Sequence, residues 1–132
     1  MNRREARKQA FLLLFQYKFQ PEETETMLMD LFEEKDPGQQ KDYIKIVVLG
    51  AVEKVEELDR VLGEYSKDWS VDRISSVSLA AMRLAAYEMM YVEDIPNAVA
   101  VNEAVALAKE YEGEEAAPFV NGILGKLKNN IG

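Results

Sequence analysis

The feature that most constrains the fold is a nearly continuous apolar segment in the middle of the chain, residues 77–92. Its apolar side chains do not alternate as in a strand, and at helical spacing they cover almost the whole circumference. A helix without a polar face needs neighbours on every side, and this one is too short to span a bilayer. The segment therefore predicts the central helix of a bundle, in which Arg83 and Glu88 each find a separate partner.

Helical periodicity continues through the rest of the chain, and proline and glycine residues separate the periodic segments. The six predicted main helices cover about residues 3–19, 23–34, 40–65, 76–92, 97–112 and 115–129. In the longest of them, Gly50 and Gly63 are the weak points at which we expect a bend or fraying. The sequence thus predicts an all-α fold, a single domain over 1–132 with six to seven helices in two packed helical subdomains, about 1–66 and 70–132.

The composition limits the chemistry that the chain can carry. It contains no cysteine and no histidine, which excludes disulfides and thiolate metal sites and removes the commonest general base. Neighbouring glutamates, as at 33–34 and 114–115, are more typical of a solvated surface than of a metal or glycosidase site. No phosphate loop or nucleophile elbow is present, and no signal-peptide pattern. We therefore expect a cytoplasmic protein without cofactor or metal that is not an enzyme.

The net charge of −8 is distributed unevenly along the chain. Residues 1–20 carry five cations and one anion, a net charge of +4, while the rest of the chain carries −12. One face of the first predicted helix carries Arg4, Lys8, Phe11 and Phe15, and the adjacent face carries Arg3 and Arg7. Guanidinium groups bind phosphates and aromatic rings stack on unpaired bases, so this combination suits single-stranded RNA. A solvated basic helix start with Phe11 and Phe15 in the core fits the same pattern.

The last two predicted helices carry further candidate positions. In the helix over 97–112 the polar residues, Asn102, Glu103, Lys109 and Glu110, gather in one narrow stripe. We expect this stripe to fix the packing, and a ligand-binding role of Asn102 and Glu103 is the alternative. In the last helix, Phe119 and Asn121 lie at the start, where a base or phosphate can meet free backbone N–H groups. Gly122 and Gly125 are unfavourable inside a helix, and we expect them to permit close approach of a neighbouring helix. Packing alone also explains this segment.

Five segments resemble one protein family, in the order that the family shows. They are 3–7 with the apolar-aromatic stretch to Tyr17, 69–77, 82–89, 95–109 and 119–124. Together they cover nearly the whole chain and resemble the NusB family of transcription antitermination proteins. The resemblance implies an all-α fold of two helical subdomains and a function in processive antitermination, especially of ribosomal RNA operons. It also implies binding of the boxA element of nascent RNA with ribosomal protein S10, also called NusE, in a complex with other Nus factors on RNA polymerase.

The resemblance also implies two functional surfaces. By matching position, the RNA surface includes Arg3, Arg4, Arg7 and Phe119, with Glu115 or Ala116 in the preceding loop. Our own reading of the helix face adds Lys8 to this surface, and that of the last helix start adds Asn121. The S10 surface includes Phe15 and a position that is acidic in the family and is Ser78 here.

Two other functions fit parts of the same pattern. One is an RNA-targeting domain like that fused to ribosomal RNA cytosine methyltransferases, although this chain has no cysteine for their catalysis. The other is a homodimeric helical module that hides its basic face and binds only proteins. The sequence leaves the choice between monomer and homodimer open.

Overall fold

The computed structural model describes residues 1–67 and 70–131. Within these ranges the chain forms seven α-helices and three single 3-10 turns, and no strand. The helices are α1 (Arg3–Tyr17), α2 (Thr24–Glu34), α3 (Lys41–Glu53), α4 (Val55–Tyr65), α5 (Ser76–Tyr91), α6 (Asn97–Glu112) and α7 (Ala116–Ile131). The predicted all-α fold of six to seven helices is confirmed. Residues 68 and 69, between the two predicted subdomains, lie outside the described residues, and the division into two subdomains stays a prediction.

The apolar segment forms α5, which lies at the centre of the molecule. α1, α3, α4, α6 and α7 all pack against it, as expected for a helix without a polar face. Its start is capped by Ser75, whose hydroxyl oxygen accepts a hydrogen bond from the backbone N–H of Ser78 at 3.1 Å. Arg83 and Glu88 have separate partners, as predicted. Arg83 donates two hydrogen bonds of 2.8 Å to Asp59 on α4, and Glu88 faces α1 and α3.

The longest predicted helix is two helices, α3 and α4, and the expectation that it bends at a glycine is wrong. The break lies at Lys54, where φ is −100° and ψ is 15°. Hydrogen bonding continues on both sides, because the Lys54 N–H donates to the Gly50 carbonyl and its own carbonyl accepts from Leu58. Gly50 instead makes room for α5, since a Cβ at this position would collide with the ring of Tyr87.

The glycines of α7 have no such neighbour. Among the described residues, no atom lies within 4 Å of a Cβ built at Gly122 or Gly125. The helix packs on the bundle through its other face, with Val120, Ile123, Leu124 and Leu127 buried. The expectation that these glycines permit a close helix approach is therefore wrong, and nothing in the structure explains them.

The turn between α6 and α7 positions the start of the last helix. α6 ends at Gly113, whose φ of 121° is a conformation that favours glycine. α7 begins three residues later at Ala116, directly beside the end of α6. Over the described ranges, no helix is both long enough and apolar enough to cross a membrane.

Candidate nucleic-acid interface

The start of α1 is anchored by a buried polar cluster of Arg7, Tyr43 and Glu88, which are 4%, 7% and 0% exposed. The Arg7 Nε donates to Glu88 at 3.1 Å, and the Tyr43 hydroxyl donates to the same carboxylate at 2.6 Å. Burial raises the pKa of Glu88, while Arg7 and Tyr43 oppose this by stabilising the carboxylate. Burial also raises the pKa of Tyr43, and the Glu88 charge beside it raises that pKa further. The cluster joins α1 to α3 and α5, and it holds the Arg7 guanidinium against Glu88 with only 4% of the residue exposed.

Arg3 lies on the surface next to this cluster. Its guanidinium carbon is 4.1 Å from the centre of the Tyr43 ring, and its Nε donates to the Gln40 Oε1 at 2.6 Å. Its hydrogen-bond partner is thus an amide rather than a carboxylate. Arg3 is exposed and carries its positive charge to the surface in a fixed position, as a phosphate contact requires.

The other two cations of α1 are paired with carboxylates of α6. Arg4 is 81% exposed, and its Nη2 lies 3.1 Å from the Glu103 Oε1. The Lys8 Nζ lies 3.1 Å from the Glu110 Oε2, and this hydrogen bond raises the pKa of Lys8. The predicted polar stripe of α6 therefore faces the basic face of α1. The sequence pattern favoured a packing role for Glu103 and Glu110, and the missed signal was that these two carboxylates lie on one stripe of a mostly apolar helix.

Two adjoining grooves follow this pairing of α1 with α6 and share Asn2, Arg4, Glu103 and an edge of the mostly buried Arg7. One continues along α1 to Lys8. The other opens toward the start of α6, where Pro96 and the partly exposed Val99 form an apolar wall. The arrangement offers cations for a phosphate backbone beside an apolar surface on which a base can lie.

A separate groove lies where the start of α5, the end of α6 and the start of α7 meet. Its lining residues are Arg73, Ile74, Ser75, Ser78, Glu112, Glu115, Ala116 and Phe119. Three predicted RNA residues thus share a groove with Ser78, the predicted S10 position. Ser78 is buried, and its hydroxyl donates to the Glu112 Oε1 at 3.0 Å. Ala116 is buried, Phe119 is half-buried, Glu115 is exposed, and Asn121 is exposed on α7 outside the groove lining.

The helix α6 connects the two parts of the predicted RNA surface. Glu103 contacts Arg4 near its middle, and Glu112 lines the groove at its end, nine residues further along. This spacing corresponds to about 13 Å of helix. No hydrogen bond or ion pair within residues 1–67 and 70–131 joins the α1 cations to the start of α7. The predicted RNA residues therefore form two patches along one helix rather than a single pocket.

The aromatic residues of α1 have different environments. Phe11 is 1% exposed and packs against Tyr111 of α6 at 5.1 Å between ring centres, so it belongs to the core. Phe15 is half-buried, and its ring lies 5.5 Å from that of Phe19, which is 61% exposed. The Lys18 ammonium donates to the Ser76 hydroxyl at 3.0 Å and joins the end of α1 to the start of α5. Phe15 and Phe19 form an exposed aromatic pair that sequence reasoning found only in part.

Sequence comparison connects this architecture to known proteins. Residues 4–129 match the profile of the NusB family. The transcription antitermination protein NusB of Thermoanaerobacter sp. strain X514 is 40% identical over 132 residues, which is the whole of this chain and 94% of that protein. The protein of the same name from Acetivibrio thermocellus is 44% identical over 128 residues, covering 96% of this chain and 88% of the relative.

Solved structures with the same fold carry the same family name. T. maritima NusB superposes with a TM-score of 0.90 at 33% identity, covering 98% of this chain and 92% of that one. A chain in the crystal structure of antitermination factors NusB and NusE in complex with dsRNA superposes with a TM-score of 0.87 at 28% identity, covering 97% and 96%. Fold, family profile and relatives agree over nearly the full length, and the chain belongs to the NusB family.

Proposed function

We propose that this protein is an RNA-binding transcription antitermination factor of the cytoplasm. It binds the boxA element of nascent ribosomal RNA transcripts together with ribosomal protein S10 (NusE) and joins other Nus factors on RNA polymerase. The observation that carries the proposal is the full-length match to relatives named transcription antitermination protein NusB. A similar chain has been solved in complex with NusE and dsRNA, which supports NusE and RNA as the classes of partner. The relatives are named as antitermination factors rather than enzymes, so the role is one of binding.

The RNA surface, in this proposal, consists of the two patches along α6. Arg3, Arg4 and Lys8 contact phosphates, because they are the cations of α1 whose charged groups reach the surface. Arg7 is buried against Glu88 and acts by fixing the start of α1 rather than by touching RNA. At the other patch, the half-buried ring of Phe119 is suited to stack an unpaired base.

Glu115 and Ala116 complete the second patch, because they line the same groove as the Phe119 ring. Asn121 carries an exposed amide two residues beyond Phe119, about 200° around α7 and outside the groove lining, and extends the proposed surface there. An amide side chain can donate to and accept from a base edge, whereas a carboxylate can only accept. We therefore assign base contacts to Asn121 and Glu115, and assign Ala116 to the shape of the groove.

The S10 surface, in this proposal, lies at the end of α1 and the start of α5. The aromatic pair Phe15 and Phe19 offers exposed apolar area next to the Lys18–Ser76 hydrogen bond. Ser78 stands where the family has an acidic residue, but the Glu112 carboxylate is hydrogen-bonded to its hydroxyl. We propose that Glu112 supplies from α6 the negative charge that position 78 lacks.

The experiment that tests the function is fluorescence anisotropy of labelled boxA RNA and of a scrambled control, each titrated with and without S10. The proposal expects tighter binding of boxA and a further gain when S10 is present. If three or four phosphates are contacted, log K should fall against log salt with a slope of about −2 to −3. Equally weak binding of both RNAs under both conditions would contradict the proposal. The homodimeric interaction module would then be the better explanation, and sedimentation at micromolar concentration would test it.

A further inference from the structure

Two of the three surface cations of α1 form ion pairs with carboxylates of α6. The Arg4–Glu103 and Lys8–Glu110 pairs each have a nitrogen–oxygen distance of 3.1 Å. Both pairs lie in the same groove along α1. The carboxylates are held by α6, a helix that is packed against α5 and α7 and contributes five buried residues to the core. The backbone that carries both carboxylates is therefore held in place beside the cations and does not belong to a flexible loop.

We propose that Glu103 and Glu110 are intramolecular competitors of the RNA phosphates and set a threshold for RNA binding. The inference rests on the proposed RNA function. A phosphate that approaches Arg4 or Lys8 meets a carboxylate at hydrogen-bonding distance from the same cation, and two anions at such separation repel each other. RNA binding at this face is thus an exchange in which the α6 carboxylate loses its partner as the phosphate gains one.

This exchange affects charge-driven binding most. Phosphate contacts are the same for every RNA, whereas base contacts distinguish sequences. The carboxylates therefore lower the affinity for all RNAs by a similar factor and leave the preference for one sequence unchanged. An RNA that is held only by its charge then binds too weakly to stay bound. An RNA that also fits the start of α7, or that a partner protein holds as well, stays bound.

Glu110 is the better of the two positions for a test. Its side chain is 51% exposed and, within residues 1–67 and 70–131, it forms an ion pair only with Lys8, so replacing it should leave the fold intact. Glu103 is only 18% exposed and also lies 4.0 Å from the Arg7 Nη1, so its replacement would disturb the buried cluster. Glu33 is exposed on α2 and provides a control with the same change of net charge.

The experiment measures boxA and scrambled RNA binding by anisotropy for the unmodified protein, Glu110→Gln, Glu33→Gln, Lys8→Gln and the Lys8→Gln/Glu110→Gln double variant. Glu110→Gln should raise the affinity for both RNAs by roughly two- to fivefold, which corresponds to the loss of one exposed ion pair. The gain should shrink as salt rises, because salt screens exposed pairs. It should be absent when Lys8 is already Gln.

Three results would overturn the inference. The first is a gain in Glu110→Gln no larger than in Glu33→Gln, which would reduce the effect to net charge. The second is a full gain in the Lys8→Gln background, which would show that Glu110 does not act through Lys8. The third is equal binding of boxA and scrambled RNA under every condition, which overturns the proposed function as well. A boxA preference combined with either of the first two results overturns this inference alone.

Discussion

Arg7 shows why a single residue can belong to a functional segment and still be part of the core. The family resemblance placed it with the RNA contacts, although it shares a helix face with Ala10 and Leu14, three and seven positions later. The second signal was Glu88, a carboxylate on a helix that has no polar face and so needs a buried cation. Periodicity could locate both residues, but it could not show that they meet, because they are 81 positions apart.

Removing one member of this buried cluster should destabilise the protein strongly. Arg7→Met leaves the Glu88 charge buried without its cation, and we expect a loss of about 3–5 kcal/mol in the free energy of unfolding. Urea unfolding followed by circular dichroism measures this loss. Adding Glu88→Gln removes the uncompensated charge and keeps an acceptor for Tyr43, so it should recover part of the loss. A double variant no more stable than Arg7→Met would contradict this explanation.

Tyr43 should make stability depend on alkaline pH. Its pKa in the folded protein is raised by burial and by the Glu88 charge, so the folded state keeps the proton to higher pH than the unfolded chain does. The contribution to stability is complete below the unfolded pKa of about 10 and is lost as pH rises above it. Unfolding free energies measured from neutral pH upward should therefore show a constant difference between the protein and Tyr43→Phe that shrinks beyond about pH 10. A difference that stays constant over the whole range would argue against the burial of an uncharged Tyr43.

At the scale of the helices, the local sequence predicted where helices begin and end, but it did not predict the break between α3 and α4. α1 ends before Pro21, α5 begins at the Ser75 cap, and α6 ends at Gly113, all positions with a local backbone reason. The break at Lys54 has neither proline nor glycine, and both flanking helices pack on α5. It results from tertiary packing, which helical spacing alone does not contain.

The glycines of α3 and α7 should respond in opposite ways to the same substitution. Gly125→Ala adds a methyl group in open space and should raise stability by about 0.5–1 kcal/mol, since alanine is the better helix former. Gly50→Ala has the same helical benefit but must displace the Tyr87 ring, which stacks on Tyr91 at 5.1 Å. We expect it to lower stability by about 1–3 kcal/mol. Melting temperatures of the two variants test this, and shifts of the same sign would refute the packing role of Gly50.

The salt dependence of RNA binding should show whether Arg4 on α1 contacts a phosphate directly. Arg4→Gln should flatten the slope of log K against log salt by about 0.7, the value for one phosphate of a single strand. Arg60→Gln on α4, also exposed, makes the same change in net charge and should leave the slope unchanged. Anisotropy titrations at several salt concentrations provide the comparison. An equal effect of both variants would mean that net charge rather than a local contact determines binding.

At the scale of the whole molecule, the distribution of charge along the chain was predictable, but the pairing of those charges in space was not. The basic start and acidic remainder follow from the sequence, as do the all-α fold and the central helix, because each depends on composition or local periodicity. The pairing of α1 with α6 joins residues 99 positions apart and depends on which helix faces meet. For the same reason the sequence predicted most of the candidate cations but not the carboxylates that neutralise them.

The proposed S10 surface should be separable from both stability and RNA binding. Phe19→Ser removes a ring that is 61% exposed, so the free energy of unfolding should change by less than about 0.5 kcal/mol. Binding of S10, measured by calorimetry, should weaken by about fivefold or more if this ring is buried in the interface. Met29→Ser on α2, which is 64% exposed, is the matched control and should leave S10 affinity unchanged. Equal losses for both variants, or none for Phe19→Ser, would place the surface elsewhere.

α6 carries one end of the proposed RNA surface beside Arg4 and the other beside the start of α7, and it is a single uninterrupted helix. Because the helix is uninterrupted, it keeps the spacing between the two patches constant. At roughly 3.4 Å per stacked nucleotide, the 13 Å or so of helix between Glu103 and Glu112 corresponds to about four nucleotides. In the proposed binding mode, a stacked oligonucleotide shorter than this reaches only one of the two patches. The protein would thus measure the length of an unpaired RNA segment as well as its bases.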